Sequence, residues 1–403
     1  MSINKTIPFV LIVYAVIVSI SIWPEQPTSN KIHQNFTEIT KKHGYITEEH
    51  RIVTEDDYIL MVFHMRKKSC VDNGSPPVVV FHGALMSSDT WLDAGPEAAL
   101  GFLLADACVD LWFVNTRGNH YSRDHVYLNP DKDPEYWKWS INEIGTYDVP
   151  AVVDYVLNTT GYTKLNVLGY SQGGGSVFVM CSERPEYCNK IGLIVALSPC
   201  SRLLNIKNVL VRLLFRTVAI YHDRLISFNI NEFLPHGGSV QGFLNAFCSF
   251  NFATTHICTR ILGALDHYHE GSFDRETSRA IFNNFPAGSS IQSMAHYGQA
   301  LLREDFMKFD YGAQINVQRY GVAVPPAYNL SAVTTPVVLI HGNNDQLVVT
   351  KDVVWLREKL PNVLDFFVVE DPEWHHFDMM YSKHIKKSVF PTLLKYLRHD
   401  TIA

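Results

Sequence analysis

The chain contains no block of basic residues and no strip of interleaved aromatic and basic side chains. That removes the phosphate-neutralising surface that nucleic-acid binding requires, and a formal net charge of -6 points the same way. Internal repeats and low-complexity stretches are also missing, so neither a solenoid nor a disordered linker organises the molecule. Charged residues are few, 18% against 47% apolar, over a length of 403. This is the composition of a globular chain with one large domain, or a core with an insertion. Cysteine is scarce: there are seven, at positions 70, 108, 181, 188, 200, 248 and 258. An odd number leaves at least one thiol free or paired between chains.

The apolar run from Ile7 to Trp23, behind a weak positive region at Lys5, is shorter than a comfortable membrane span. It reads as a secretory signal peptide over residues 1–23, with an uncleaved anchor as the alternative because no clean small-x-small cleavage site precedes Pro24. In a lumenal chain Asn35-Phe-Thr, Asn158-Thr-Thr and Asn329-Leu-Ser are glycosylation acceptors, and Asn73-Gly-Ser is a weaker one because Pro76 follows. Among the cysteines, Cys108 reads as an inert core residue on the approach to an apolar strand. Cys181 and Cys188 flank a helix end, and Cys248 and Cys258 are close enough to clip a loop.

Lys164-Leu-Asn-Val-Leu-Gly-Tyr-Ser-Gln-Gly-Gly-Gly175 is the most informative stretch present. An apolar run leads into Gly169-Tyr170-Ser171-Gln172-Gly173 and then into a helix-like segment, the form of a nucleophile elbow. A serine on such a turn exposes its hydroxyl above the sheet, and flanking glycines allow the close backbone approach the turn needs. Ser171 is the candidate nucleophile for acyl transfer.

The acid and base of a triad on this scaffold follow in chain order on loops after later strands. Thr335-Pro-Val-Val-Leu-Ile-His-Gly-Asn-Asn-Asp345 is a buried-type strand ending in a polar turn, and Asp345 stands at its carboxyl end. The plainer reading of Asp345 is a turn or cap residue before Val348; Asn344 and Asp352 are less well placed. A helix-like segment, Lys351 to Leu360, precedes a strand, Val363 to Glu370, whose following loop carries Trp374-His375-His376-Phe377-Asp378. Imidazole can take the serine proton and return it to the leaving alcohol. Spacing leaves both His375 and His376 eligible, and the pair lacks a third ligand at metal-site spacing, so no metal is expected. Upstream, Pro77-Val-Val-Val-Phe-His82-Gly83-Ala84-Leu85 supplies a strand and the loop that should donate one oxyanion N–H, from Ala84; the other is from Gln172. His82 reads as a structural loop histidine rather than a second base.

Strands at about 77–82, 110–115, 164–170 and 191–197 alternate with helical patterns, one of them Tyr147 to Leu157. This implies an α/β fold with a mostly parallel central sheet covered by helices on both faces. Arg51 to His64 reads as an opening hairpin with an acidic turn at Asp56-Asp57. Between Pro199 and Thr335 the alternation stops for about 130 residues rich in aromatic and aliphatic side chains. The expected organisation is a core of residues 24–199 and 335–403, with residues 200–334 inserted as a mainly helical cap or lid. Leu203 to Ile220 reads as an apolar cap helix with basic points, packed on the core or facing a lipid interface.

With these residues in place, the chain resembles the acid lipase family of the α/β-hydrolases, the gastric and lysosomal lipases and their insect relatives. The resemblance spans nearly all of the mature chain. It rests on His43-Gly-Tyr-Ile-Thr-Glu-Glu-His-Arg-Ile-Val-Thr-Glu-Asp-Asp-Tyr-Ile-Leu60, with Asp57 where glycine is more usual, and on Asn115-Thr-Arg-Gly-Asn-His-Tyr-Ser-Arg123. Gly169 to Gly174, Pro286-Ala-Gly-Ser-Ser-Ile-Gln-Ser-Met294 and Gly342-Asn-Asn-Asp345 follow in the family's order. The resemblance assigns the base to His376, through the block His376-Phe-Asp378-Met, with His375 at a position that is often Asn. It assigns the oxyanion donors to Ala84, where Leu is usual, and Gln172, and it implies a cap disulfide between Cys248 and Cys258. What it implies for function is hydrolysis of triacylglycerols or sterol esters at an oil–water or membrane interface, with no cofactor, in a secreted or lumenal setting or in the lysosome. A soluble carboxylesterase on small esters is the rival within enzymes, and a lipid-binding protein on a hydrolase scaffold the rival outside them.

Overall fold

A computed structural model of the chain describes residues 35–70 and 74–398. The segment read as a signal peptide and the weak acceptor Asn73 lie outside the described residues. Among the described residues nine strands form one sheet: β1 (Tyr45–Val53), β2 (Tyr58–Lys67), β3 (Val78–Phe81), β4 (Leu111–Val114), β5 (Asp124–His125), β6 (Leu165–Tyr170), β7 (Ile191–Leu197), β10 (Val337–Gly342) and β11 (Val363–Val369). Two further short strands, β8 (Glu232–Phe233) and β9 (Ser289–Ser290), pair with each other. The sheet order is β1-β2-β4-β3-β6-β7-β10-β11, with β5 on β2. All pairings from β4 to β11 are parallel, while β1, β2 and β5 are antiparallel additions at one end.

The parallel strands are continuous apolar runs because both faces are covered. Val79, Phe81, Val167, Ile194, Ala196 and Leu339 face one hydrophobic core, while the residues between them, such as Val80, Leu168, Val195 and Ile340, face the other. This is the period-two alternation of a strand applied to two buried faces.

The acidic turn of the opening hairpin is held from outside. Asp57 adopts φ +69, the left-handed region where glycine is favoured. The guanidinium of buried Arg117 donates to both oxygens of Asp56 at 2.6 and 2.8 Å and, through Nε, to Asp148 at 2.7 Å, lying over the Tyr58 ring. The expected helix over 147–157 runs as Val149–Thr160 and is stopped by Gly161 at φ +76.

The segment between β7 and β10 carries helices Val209–Ser227, Ser239–Phe250, Phe252–Ala264, Arg275–Asn284, Ile291–Ala300 and Ala313–Tyr320. Its first helix begins six residues later than the expected Leu203 because Asn208 caps it, accepting from the Val211 N–H at 3.0 Å. It also runs beyond Ile220, to Ser227.

Disulfides join Cys70 to Cys108, Cys181 to Cys188 and Cys248 to Cys258; Cys200 is buried and free. The bond at Cys108 corrects its reading as an inert core residue. Met65 of β2 pairs with Leu111 of β4, so the chain just past β2 and the chain just before β4 meet at the same sheet end. The exposed acceptors Asn35, Asn158 and Asn329 lie at a helix N-cap, within a helix and at the start of a short 3-10 turn, respectively.

Candidate active site

Ser171 sits between the end of β6 and the helix Gln172–Glu183, with φ +51 and ψ -115. A non-glycine residue there is strained, and the strain persists only where surroundings over-determine it. A Cβ at Gly169 would come within 2.6 Å of Gly174 backbone atoms, and one at Gly173 within 2.5 Å of the Phe81 carbonyl oxygen. The turn is therefore closed to larger residues at those two positions. It is pinned to its neighbours as well: Ser171 N–H donates to the Leu197 carbonyl and Ser171 C=O accepts from Cys200 N–H, both at 2.9 Å.

Three side chains, from the turn after β6 and the loops after β10 and β11, converge. His376 Nε2 lies 3.0 Å from Ser171 Oγ, and His376 Nδ1 lies 2.7 Å from Asp345 Oδ2. All three residues are buried. Burial draws the His376 imidazole down, but the charge and hydrogen bond of Asp345, with Asp266 behind it, outweigh that and hold it above its ordinary value. Burial likewise opposes ionisation of Asp345, yet the partnership with His376 leaves its carboxyl below the usual carboxylate value. The pair therefore favours a carboxylate facing an imidazole that readily takes a proton.

Asp345 is also the turn residue of the plainer reading: Oδ1 accepts from the Leu347 and Val348 N–H groups at 3.0 and 2.7 Å. The backbone fixes one carboxylate oxygen while the other meets the imidazole. His375 points elsewhere, its Nδ1 lying 3.1 Å from Asp266 Oδ2 and its Nε2 3.5 Å from Asp378 Oδ2.

Gln172 opens its helix, so its N–H has no intrahelical partner and lies at the positive end of the helix dipole. Ala84 lies in the loop after β3, half-buried. His82 braces that loop: Nδ1–H donates to the Gly83 carbonyl at 2.7 Å, and Nε2 accepts from Thr116 N–H at 3.2 Å. Burial pushes its imidazole down to about 4, so it stays neutral and structural. The Pro286–Met294 block docks here, with Ala287 N–H donating to the Leu85 carbonyl at 2.7 Å.

Three supporting residues carry no sequence signal of their own. Asp266, in the inserted segment, accepts from His376 N–H at 2.6 Å and, through Oδ1, from Gln346 N–H at 2.8 Å. Tyr297 hydroxyl donates to Gln172 Oε1. Tyr170, the variable residue of the elbow motif, donates its hydroxyl to the His376 carbonyl at 3.0 Å. Chemically, the arrangement can deprotonate Ser171 toward a carbonyl carbon and return the proton to a leaving group. Cys200 offers no rival nucleophile, since burial pushes its thiol up to about 12.

Residues 76–382 match the family described as alpha/beta hydrolase fold, and residues 36–95 match the partial alpha/beta-hydrolase lipase region. Lipase 1 of Drosophila melanogaster is 34% identical over 88% of this chain and 78% of its own. Gastric triacylglycerol lipase of Bos taurus is 32% identical over 91% of each chain. Lysosomal acid lipase/cholesteryl ester hydrolase of Homo sapiens is 30% identical, again over 91% of each.

Proposed function

The chain belongs to the acid lipase family of the α/β-hydrolases, and from that premise we propose that it cleaves triacylglycerols or sterol esters through an acyl-enzyme on Ser171. The observation that carries this reading is the relay from Ser171 through His376 to Asp345, at 3.0 and 2.7 Å, with the serine on a strained elbow. Ser171 Oγ attacks the ester carbonyl carbon as its proton passes to His376 Nε2. Asp345 holds the tautomer and stabilises the imidazolium. The N–H groups of Ala84 and Gln172 receive the oxyanion, and His376 then protonates the departing alcohol. Water, deprotonated by the same imidazole, releases the fatty acid.

Residues 24–199 and 335–403 form the hydrolase core in this reading, and 200–334 the cap, whose Asp266 and Tyr297 reach the site. Action at a lipid surface, rather than on small dispersed esters, is favoured by the cap's exposed apolar side chains: Val209 and Leu210 on one helix, Phe250 and Phe252 at the tip of a helical pair. The disulfides and the relatives named gastric and lysosomal support a secreted or lumenal enzyme.

Ser171→Ala tests the assignment. Hydrolysis of emulsified long-chain ester should fall on the order of a million-fold, with labelling by a fluorophosphonate lost and the circular dichroism spectrum unchanged. Retained hydrolysis by a folded variant overturns it.

A further inference from the structure

At the sheet end opposite β11, strands β1 and β2 bring together three side chains that the triad does not use. Glu48 and His50 are two residues apart on β1 and so share a face, and Glu48 pairs in register with His64 of β2. Glu48 Oε2 lies 3.7 Å from His64 Nδ1 and 3.9 Å from His50 Nε2, and one ligand atom from each of the three residues lies within 4.8 Å of the others. Four ligand atoms in a tetrahedron around zinc, at bonds of about 2.1 Å, stand about 3.4 Å apart. Small side-chain rotations close the difference.

The outer partners are arranged as they are around metal-binding histidines. The far nitrogen of each ring is already engaged: His64 Nε2 with Asp110 Oδ1 at 2.5 Å, His50 Nδ1 with the Tyr155 hydroxyl at 3.0 Å. Asp110 is fixed in turn by Trp112 Nε1–H at 3.2 Å, and His64 stacks on the Trp112 ring with centroids 4.2 Å apart. Such contacts set the tautomer and ring orientation and leave the near nitrogen as a lone-pair donor. His50 Nε2 is buried without a hydrogen-bond partner, the orphaned polar atom that a cation would satisfy. Arg66 takes the other oxygen of Glu48, Oε1, at 2.8 Å, which leaves Oε2 for the two rings.

We propose that Glu48, His50 and His64 form a zinc-binding site, with water completing the coordination on the exposed side. Its ligand set of two imidazoles and one carboxylate suits a borderline divalent cation rather than calcium or magnesium. β1 is four strands from β6 in the sheet order, about 19 Å at the usual strand spacing. The ion therefore clasps the edge hairpin and takes no part in ester cleavage. The ligands are spread over two strands, so no run of the sequence displays them as a metal motif, and the proposal runs against the expectation of none.

Zinc binding to the chelator-stripped full chain, measured by calorimetry, tests the site. One ion per chain should bind, Glu48→Gln and His64→Gln should each weaken it at least about a hundredfold, and Asp110→Asn should weaken it about ten- to a hundredfold. The Glu48 side chain is 46% exposed and outside either hydrophobic core, so Glu48→Gln is expected to keep the fold and separates loss of a ligand from loss of structure. Cobalt in place of zinc should give the visible absorption of a low-symmetry site, and Glu48→Gln should abolish it. Hydrolysis of a dispersed ester should be unchanged in Glu48→Gln. Absence of binding at micromolar zinc, or binding that survives both ligand substitutions, overturns the proposal.

Discussion

Asp345 and Asp266 approach His376 from different sides and do different work. Asp345 meets Nδ1 on the ring, whereas Asp266 accepts the backbone N–H and also faces the His375 ring. Asp345→Asn presents the wrong hydrogen-bonding group to the ring, and kcat is expected to fall about four orders of magnitude. Asp266→Asn keeps an acceptor for the backbone N–H and removes a charge that favours the imidazolium. The base must be neutral to accept the serine proton. Removing a negative neighbour lowers its pKa, so the acid limb of kcat/KM should move to lower pH while kcat stays within about tenfold of the parent. An unmoved limb rules out an electrostatic role for Asp266. The proposed triad was legible because each member follows a strand, on the turn or loop after it, in a run of recognisable type. Asp266 was not, since it lies in the insertion, where no periodicity ties a residue to the sheet, and only the fold brings it to His376. The choice between His375 and His376 needed the family block, because neighbouring residues on a loop differ in direction rather than in spacing.

At the scale of elements, the parallel strands and the helices after them read well because two buried faces demand unbroken apolar runs. The Cys70–Cys108 bond did not, since the partners lie 38 residues apart and meet only through the pairing of β2 with β4. The cap's helical pair, Ser239–Phe250 and Phe252–Ala264, is tied across by Cys248–Cys258 and presents Phe250 and Phe252 at its turn, 78% and 72% exposed. Two aromatic rings held out at a constrained turn are costly in water and favourable in a lipid surface, at roughly 1.5–3 kcal/mol for each fully buried ring. Replacing both, Phe250→Ser with Phe252→Ser, is expected to slow hydrolysis of emulsified triacylglycerol at least about tenfold while a dispersed short-chain ester is turned over as before. Equal losses on both substrates would mean the turn supports the active site rather than meeting an interface.

The molecule as a whole contains buried titratable groups of opposite tendency. Burial raises Asp89 to about 6 and pushes Asp93 well above the usual carboxylate value, the nearby Asp89 charge adding to it. It lowers His82 and His296 to about 4. A carboxyl with a raised folded pKa contributes stability that is present below its unfolded value of 3.8 and lost as pH rises through about 6. A histidine with a lowered folded pKa does the reverse: its contribution is present above its unfolded value of 6.5 and lost as pH falls through about 4. The two tendencies oppose each other across the same acid window, with Asp148, which burial also raises to about 6, on the carboxyl side. Asp89→Asn unbalances them. Asn can still accept the Tyr121 hydroxyl donor that meets Asp89 at 3.1 Å, but it no longer titrates, so the stability that Asp89 adds on acidification is removed. Relative to the parent, the variant should lose on the order of 3 kcal/mol of stability on going from about pH 6.5 to about pH 4. Chemical denaturation at the two pH values measures this directly. Parallel profiles for parent and variant would mean that Asp89 titrates alike in the folded and unfolded chain.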